Sequence, residues 1–160
     1  MKSRYLVGIG NYSMGDDGIG LRIAEHIAQA KLNSDFDVIE IGNHGLDLLS
    51  YLNEDVEKML WVDCVPTGRA PGETIFFAPE DVESVKKLSG SEGVSPTTHE
   101  GDMLQILNLA RSLGQHIPKI RVMGIEPEIV APQMVLSKTL EARFPELVNE
   151  AIRQIRDESW

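Results

Sequence analysis

The sequence predicts an α/β fold, a three-layer sandwich in which a twisted, mostly parallel sheet of about five strands lies between helices. Three observations carry this prediction. Short apolar runs such as YLVGI (5–9) and MLWVDCV (59–65) lack the alternation of a half-exposed strand, so they belong to strands buried on both faces. Segments with apolar residues at helical spacing lie between such runs. A length of 160 residues suits one domain, 1–160, large enough for a core of its own.

The first strand is YLVGI itself. From 17 to 30, Ile19, Ile23 and Ile27 recur with Ala24 and Ala28 at helical spacing, while Arg22, Glu25, His26 and Gln29 fall elsewhere on the turn. An amphipathic helix is expected there, with Asp16 as its cap. FDVIEIG (36–42) reads as the second strand, and GLDLLSYL (45–52), after a Gly-Asn-His-Gly turn, as a short helix. MLWVDCV is the third strand and ends in the turn-rich loop PTGRAPGE. TIFFA (74–78) and IRVMGI (120–125) complete the set. Between these two, residues 79–98 are the most polar and turn-rich of the chain and are expected to be a surface loop. Residues 101–113 then carry a helical face of Met103, Leu104, Ile106, Leu107, Leu109 and Ala110. A long helix over 137–156 closes the chain, with Leu140, Phe144, Leu147, Val148, Ala151, Ile152 and Ile155 in its buried stripe and Pro145 expected to interrupt it.

Composition removes several functions. Apolar residues at 42% and charged residues at 25% are those of a folded globular chain, not a disordered one. A net charge of −10, from 25 acids and 15 bases, repels a phosphate backbone, and Lys86-Lys87 is the only adjacent basic pair, so nucleic acid is not an expected partner. The single cysteine, Cys64, forms no internal disulfide and no thiolate zinc cluster, which points to a reducing cytoplasm. No stretch has the length of a signal-peptide core or a membrane span, so no membrane insertion is expected.

In open α/β sheets the working residues lie just past the carboxyl ends of parallel strands. Asp17 follows the first strand, Asp63 lies near the end of the third, and His99 opens the helix after the polar loop. Two carboxylates and an imidazole form a ligand set suited to a divalent ion such as nickel, zinc or manganese. Plainer roles compete with this one. Asp16 and Asp17 are also where a cap and a dipole-favoured acid belong, which is the commoner role for an acid pair at a helix start. His99 on its own would most often be a surface or capping residue. The plain role is weakest for Asp63, because an unpartnered charge inside an apolar strand costs several kcal/mol or more. His44 reads as a turn histidine, with a fourth polar group near the crevice as its other reading, and His26 and His116 as surface positions. Cys64 adjoins Asp63 in a strand and so faces the other way, as a small buried residue would.

The glycine-rich stretch GIGNYSMGDDGIG (8–20) raises the question of phosphate. Its glycines miss the Gly-x-Gly-x-x-Gly spacing, no Gly-Lys-Ser/Thr occurs, and two acids at a helix mouth repel the anion that backbone amides would attract. The loop is better built to show a carboxylate to a cation. No Gly-x-Ser-x-Gly elbow offers a serine nucleophile.

Several segments, in order, resemble the hydrogenase maturation endopeptidases. GIGNYSMGDDGIG resembles their N-terminal signature, GNHG (42–45) their Gly-Thr-x-Gly turn, and VDCVPTGRAPG (62–72) their Asp-bearing strand and following loop. SPTTHEGDML (95–104) resembles their histidine segment and GIEP (124–127) their late strand end. Asp17 stands where some members have Glu, and Asn43 replaces the threonine of the turn. The resemblance implies a five-stranded sheet between helices and an endopeptidase that trims the C-terminal peptide from the large-subunit precursor of a nickel-iron hydrogenase. It also implies Asp17, Asp63 and His99 as metal-binding and catalytic residues, and nickel carried by the substrate rather than held as a resident ion. A monomer in the cytoplasm is expected. A non-enzymatic, nickel-dependent checkpoint on the same precursor is the alternative, and a small nucleotide-binding domain is a third reading that the glycine spacing opposes.

Overall fold

Leu6, Val7 and Ile9 have no polar neighbours to expose, and they form the buried end of β1 (Ser3–Ile9). In the computed structural model, which describes residues 3–42, 44–87 and 99–160, this strand is the second of five. The side chains of residues 86, 87 and 99–101 also lie outside the description. β2 (Asp37–Ile41) and β3 (Val56–Cys64) flank β1 in parallel, β5 (Lys119–Ile125) runs parallel beside β3, and β4 (Thr74–Phe77) closes the edge antiparallel to β5. The order is β2-β1-β3-β5-β4, the mostly parallel five-stranded sheet expected from the sequence.

Alternation along β3 assigns the two faces. Leu60, Val62 and Cys64 pack with α1 (Ile19–Gln29) and α4 (Lys138–Arg156), against Ile23, Ile27, Leu147 and Ile155. Met59 and Trp61 face the other way, towards α3 (His99–Ser112) and the 3-10 turns of Gly45–Tyr51, where Met103, Leu107 and Leu48 cover them. Helices on both faces explain why the strands read as continuous apolar runs. No helix among the described residues is long and apolar enough to cross a membrane.

Four expectations need correction. Residues 45–52 were expected as a helix and wind instead as 3-10 turns over Gly45–Tyr51. The stretch 79–98, expected to be a loop, holds a 3-10 turn (Pro79–Asp81) and α2 (Val82–Lys87), while 88–98 lie outside the described residues. Val82 and Val85, three apart on one face, are 1% and 7% exposed, and this short stripe was hidden among polar neighbours. Pro145 does not interrupt the last helix, since α4 is continuous through it with the ring on the exposed side. A mid-helix proline costs about 3 kcal/mol. The burial of Leu140, Leu147, Val148 and Ile155, at about 1.5–3 kcal/mol each, outweighs it. The fourth concerns Asp16 and belongs to the site below.

At the amino ends of the strands, cations meet the carbonyl end of α4, where the helix dipole is negative. Lys58, 1% exposed, donates to the Asp157 carbonyl, and burial holds its pKa below the usual lysine value. The charged ends of Lys58 and Arg121 lie over the Trp160 ring, 4.3 and 4.5 Å from its centre. Its indole N–H donates to the Gln154 carbonyl at 2.9 Å.

Candidate functional site

From β1 the chain moves outward to β2 and then returns past β1 to β3, so the carboxyl ends of β1 and β3 form the point at which the strand order reverses. A crevice opens there in doubly covered sheets. Asp63 is the penultimate residue of β3, and Asp17 lies in the 3-10 turn Gly15–Gly18 that joins β1 to α1. Two glycines seat that turn. Gly10 has φ +144°, and a Cβ on it would stand 2.1 Å from the Asp17 carbonyl oxygen. A Cβ on Gly20 would stand 2.0 Å from the Val62 carbonyl oxygen and 2.5 Å from that of Ile9. The first turn of α1 therefore rests directly on the ends of both strands, and the acid-bearing turn comes with it.

Asp17 is 2% exposed and Asp63 1%, so both acids are buried at this junction. Asp63 Oδ1 accepts the Cys64 N–H at 2.8 Å. Its side chain lines a narrow cleft on the α3 side of the sheet, with Ile9, Trp61, Phe77 and Met103. His99 is the first residue of α3, one turn before Met103, and its side chain is outside the described residues, as is Asn43. Among the described residues no three His, Cys, Asp or Glu side chains gather as a metal site. Cys64 is fully buried in the core on the α1 and α4 side, as its position next to Asp63 required. His44, His26 and His116 are exposed, His26 against the edge of Phe144 at 5.5 Å. A roomier groove runs between α1 and α4, past Arg22, His26, Leu136 and Phe144, on the opposite side of the sheet from the Asp63 cleft.

Asp16, expected to cap α1, does not. The turn and α1 both begin without a side-chain cap, at Met14 and Gly18. Asp16 is fully buried and points to the segment after β5 instead. Its Oδ2 accepts the N–H groups of Glu128 and Ile129 at 2.8 Å each, and its Oδ1 that of Ser137 at 2.7 Å. Two further residues, Glu126 and Tyr12, escaped the sequence reading. Glu126, 6% exposed, accepts the N–H groups of Thr67 and Gly68 at 2.7 Å each, which shapes the loop that follows β3. An acid ending an apolar strand, the feature that drew attention to Asp63, is the signal that would have found it.

Tyr12 anchors the loop before the turn. Its hydroxyl lies 2.7 Å from Glu40 Oε1 and 3.0 Å from Glu25 Oε2. Burial first, and then these two carboxylates, hold its pKa well above the usual phenol range. The neutral phenol is thus favoured by folding. Its contribution is whole below the unfolded phenol's pKa of about 10 and is lost as pH rises beyond it. Ring-carbon NMR of Tyr12 is expected to keep its neutral shift at about pH 11. A titration midpoint near 10 would contradict the hydrogen-bonded arrangement.

An α/β sheet covered on both sides, with acids buried where its strand order reverses, belongs to the class of proteins that place a ligand crevice at converging strand ends. Residues 21–154 match the hydrogenase maturation protease family, and the chain belongs to that family. The hydrogenase 2 maturation protease of Escherichia coli K12 is 24% identical over 95% of this chain and 90% of its own length. The hydrogenase 3 maturation protease of the same strain is 29% identical over 78% of this chain and 73% of its own. Among solved structures, the hydrogenase maturating endopeptidase HybD from E. coli matches with a TM-score of 0.78 at 22% identity, covering 98% of this chain and 94% of that one. The hydrogenase 2 maturation peptidase of a Thaumarchaeota archaeon matches with a TM-score of 0.66 at 27% identity, covering 96% and 98%.

Proposed function

We propose that this protein is the endopeptidase that removes the C-terminal peptide from the nickel-loaded precursor of a nickel-iron hydrogenase large subunit, acting as a cytoplasmic monomer of one domain. The observation that carries the reading is the burial of Asp17 and Asp63 at the ends of β1 and β3, in a chain of this family. Oxygen donors from two carboxylates and nitrogen from His99 suit nickel. The nickel belongs to the substrate, and these three residues contact it when the precursor docks, which sets the scissile peptide in the crevice. Hydrolysis requires water to lose a proton as its oxygen attacks the carbonyl carbon, and the departing amine to gain one. Either the metal or a carboxylate of the site activates that water, and the proton it loses passes to the amine.

Mass spectrometry of the large subunit, after incubation with purified protein, tests this. Nickel-loaded precursor is expected to lose its C-terminal peptide, and nickel-free precursor to keep it. Asp17→Ala and His99→Ala are each expected to slow cleavage by about 100-fold or more. A complex that forms while the subunit's mass stays unchanged would favour the non-enzymatic checkpoint. Wild-type rates in both variants would remove these residues from the site.

A further inference from the structure

We infer that Asp16 is a positioning residue for Asp17, a role that rests on the proposed function. The turn that carries Asp17 has little to hold it from within. It is four residues of 3-10 helix with no side-chain cap, and such short turns have poor hydrogen-bond geometry. Its backbone bonds include Met14 N–H to the Asn11 carbonyl, Asp17 N–H to the Met14 carbonyl and Asn11 N–H to the Asp17 carbonyl, each long at 3.3 Å, beside Ile19 N–H to the Asp16 carbonyl.

What holds the turn comes from outside it. The fully buried Asp16 carboxylate accepts three backbone N–H groups at 2.7–2.8 Å, the short distances of charge-assisted bonds. The backbone adds Asp16 N–H to the Ile129 carbonyl at 2.9 Å, Gly15 N–H to the Gln133 carbonyl at 2.8 Å, and Gln133 N–H to the Ser13 carbonyl at 3.1 Å. Ser137, which donates to Asp16, is also the cap of α4, where its Oγ accepts the Leu140 N–H. One carboxylate thus ties the Asp17 turn to the segment leaving β5 and to the start of α4. The position of Asp17 relative to Asp63 depends on that tie. A displacement of about 1 Å at a reacting centre is enough to cost about 100-fold in rate.

Asp16→Asn presents an N–H₂ group where one oxygen accepted, so at least one of the three amides is opposed rather than satisfied. Processing of nickel-loaded precursor by Asp16→Asn is expected to show kcat lower by about 10–100-fold, with KM changed less than about threefold. Trp160→Ala, at the opposite end of the strands, supplies a control for plain loss of stability. It is expected to lower the melting temperature and leave kcat at 25 °C unchanged. Should Asp16→Asn not fold, Asp16→Glu keeps both acceptors on a longer stem and is expected to show the same loss in kcat. A wild-type kcat in the folded variant, or a change in KM alone, overturns the inference. A wild-type protein that cleaves nothing instead overturns the proposed function, and that failure shows in the unsubstituted lane.

Discussion

Asp63→Asn is expected to yield a folded protein whose processing of nickel-loaded precursor is slower by about 10³-fold, the middle of the range for loss of a positioned acid or base. The substitution is close to isosteric. Its Oδ1 still accepts the Cys64 N–H that Asp63 accepts at 2.8 Å, so β3 keeps its end and the Cys64 side chain keeps its place in the core. What disappears is the negative charge, needed either to meet a cation or to take a proton from water. The variant is expected to keep a cooperative melting transition, since the side chain's shape and its bond to the Cys64 N–H are retained. A melting curve beside the precursor assay checks both halves. Cleavage within threefold of wild type would place the chemistry elsewhere.

Gly20→Ala is the second change with a large expected effect, and here two effects compete. Alanine in place of glycine inside a helix is worth about 1 kcal/mol in its favour. Against that, the new Cβ would lie 2.0 Å from the Val62 carbonyl oxygen and 2.5 Å from that of Ile9, and both are backbone atoms held in the sheet. No side-chain tip can swing aside, so α1 must lift. Overpacking of a tight core costs about 1–3 kcal/mol and occasionally more. With two backbone clashes the upper part of that range applies, and overpacking wins. A fall of about 4–12 °C in melting temperature is expected for a chain of this size. Because the acid-bearing turn precedes α1 directly, precursor cleavage is expected to fall with it. A melting temperature equal to or above that of the wild type would show that α1 does not seat on the strand ends.

Most of the fold was legible because the signals are local. Leu6 and Val7 in β1, Met59 to Cys64 in β3 and the stripe through Leu147 and Ile155 in α4 each announce their element within a few residues. Two valines in α2 are too few for a periodicity, and Pro145 read as a stop because its exposed face and the apolar stripe around it are not visible in one dimension. In the site, Asp63 stood out for a thermodynamic reason, an acid in the apolar run 59–65. Asp17 stood out through its place after β1. The side chain of His99 lies outside the described residues, so its part stays a proposal.

By itself the sequence determined the α/β class and the order of the five strands, since short-range patterning carries both, and its motifs carry the resemblance to the hydrogenase maturation endopeptidases. Only the tertiary structure showed what Asp16 does. The sequence set it beside Asp17 as a helix cap, yet Asp16 is bound to amides 112, 113 and 121 residues further along the chain. Hydrogen bonds of that span come from chain crossings at the end of the sheet, which no local pattern specifies. Adjacent residues in a tight turn point in different directions, and what each one meets there decides its role.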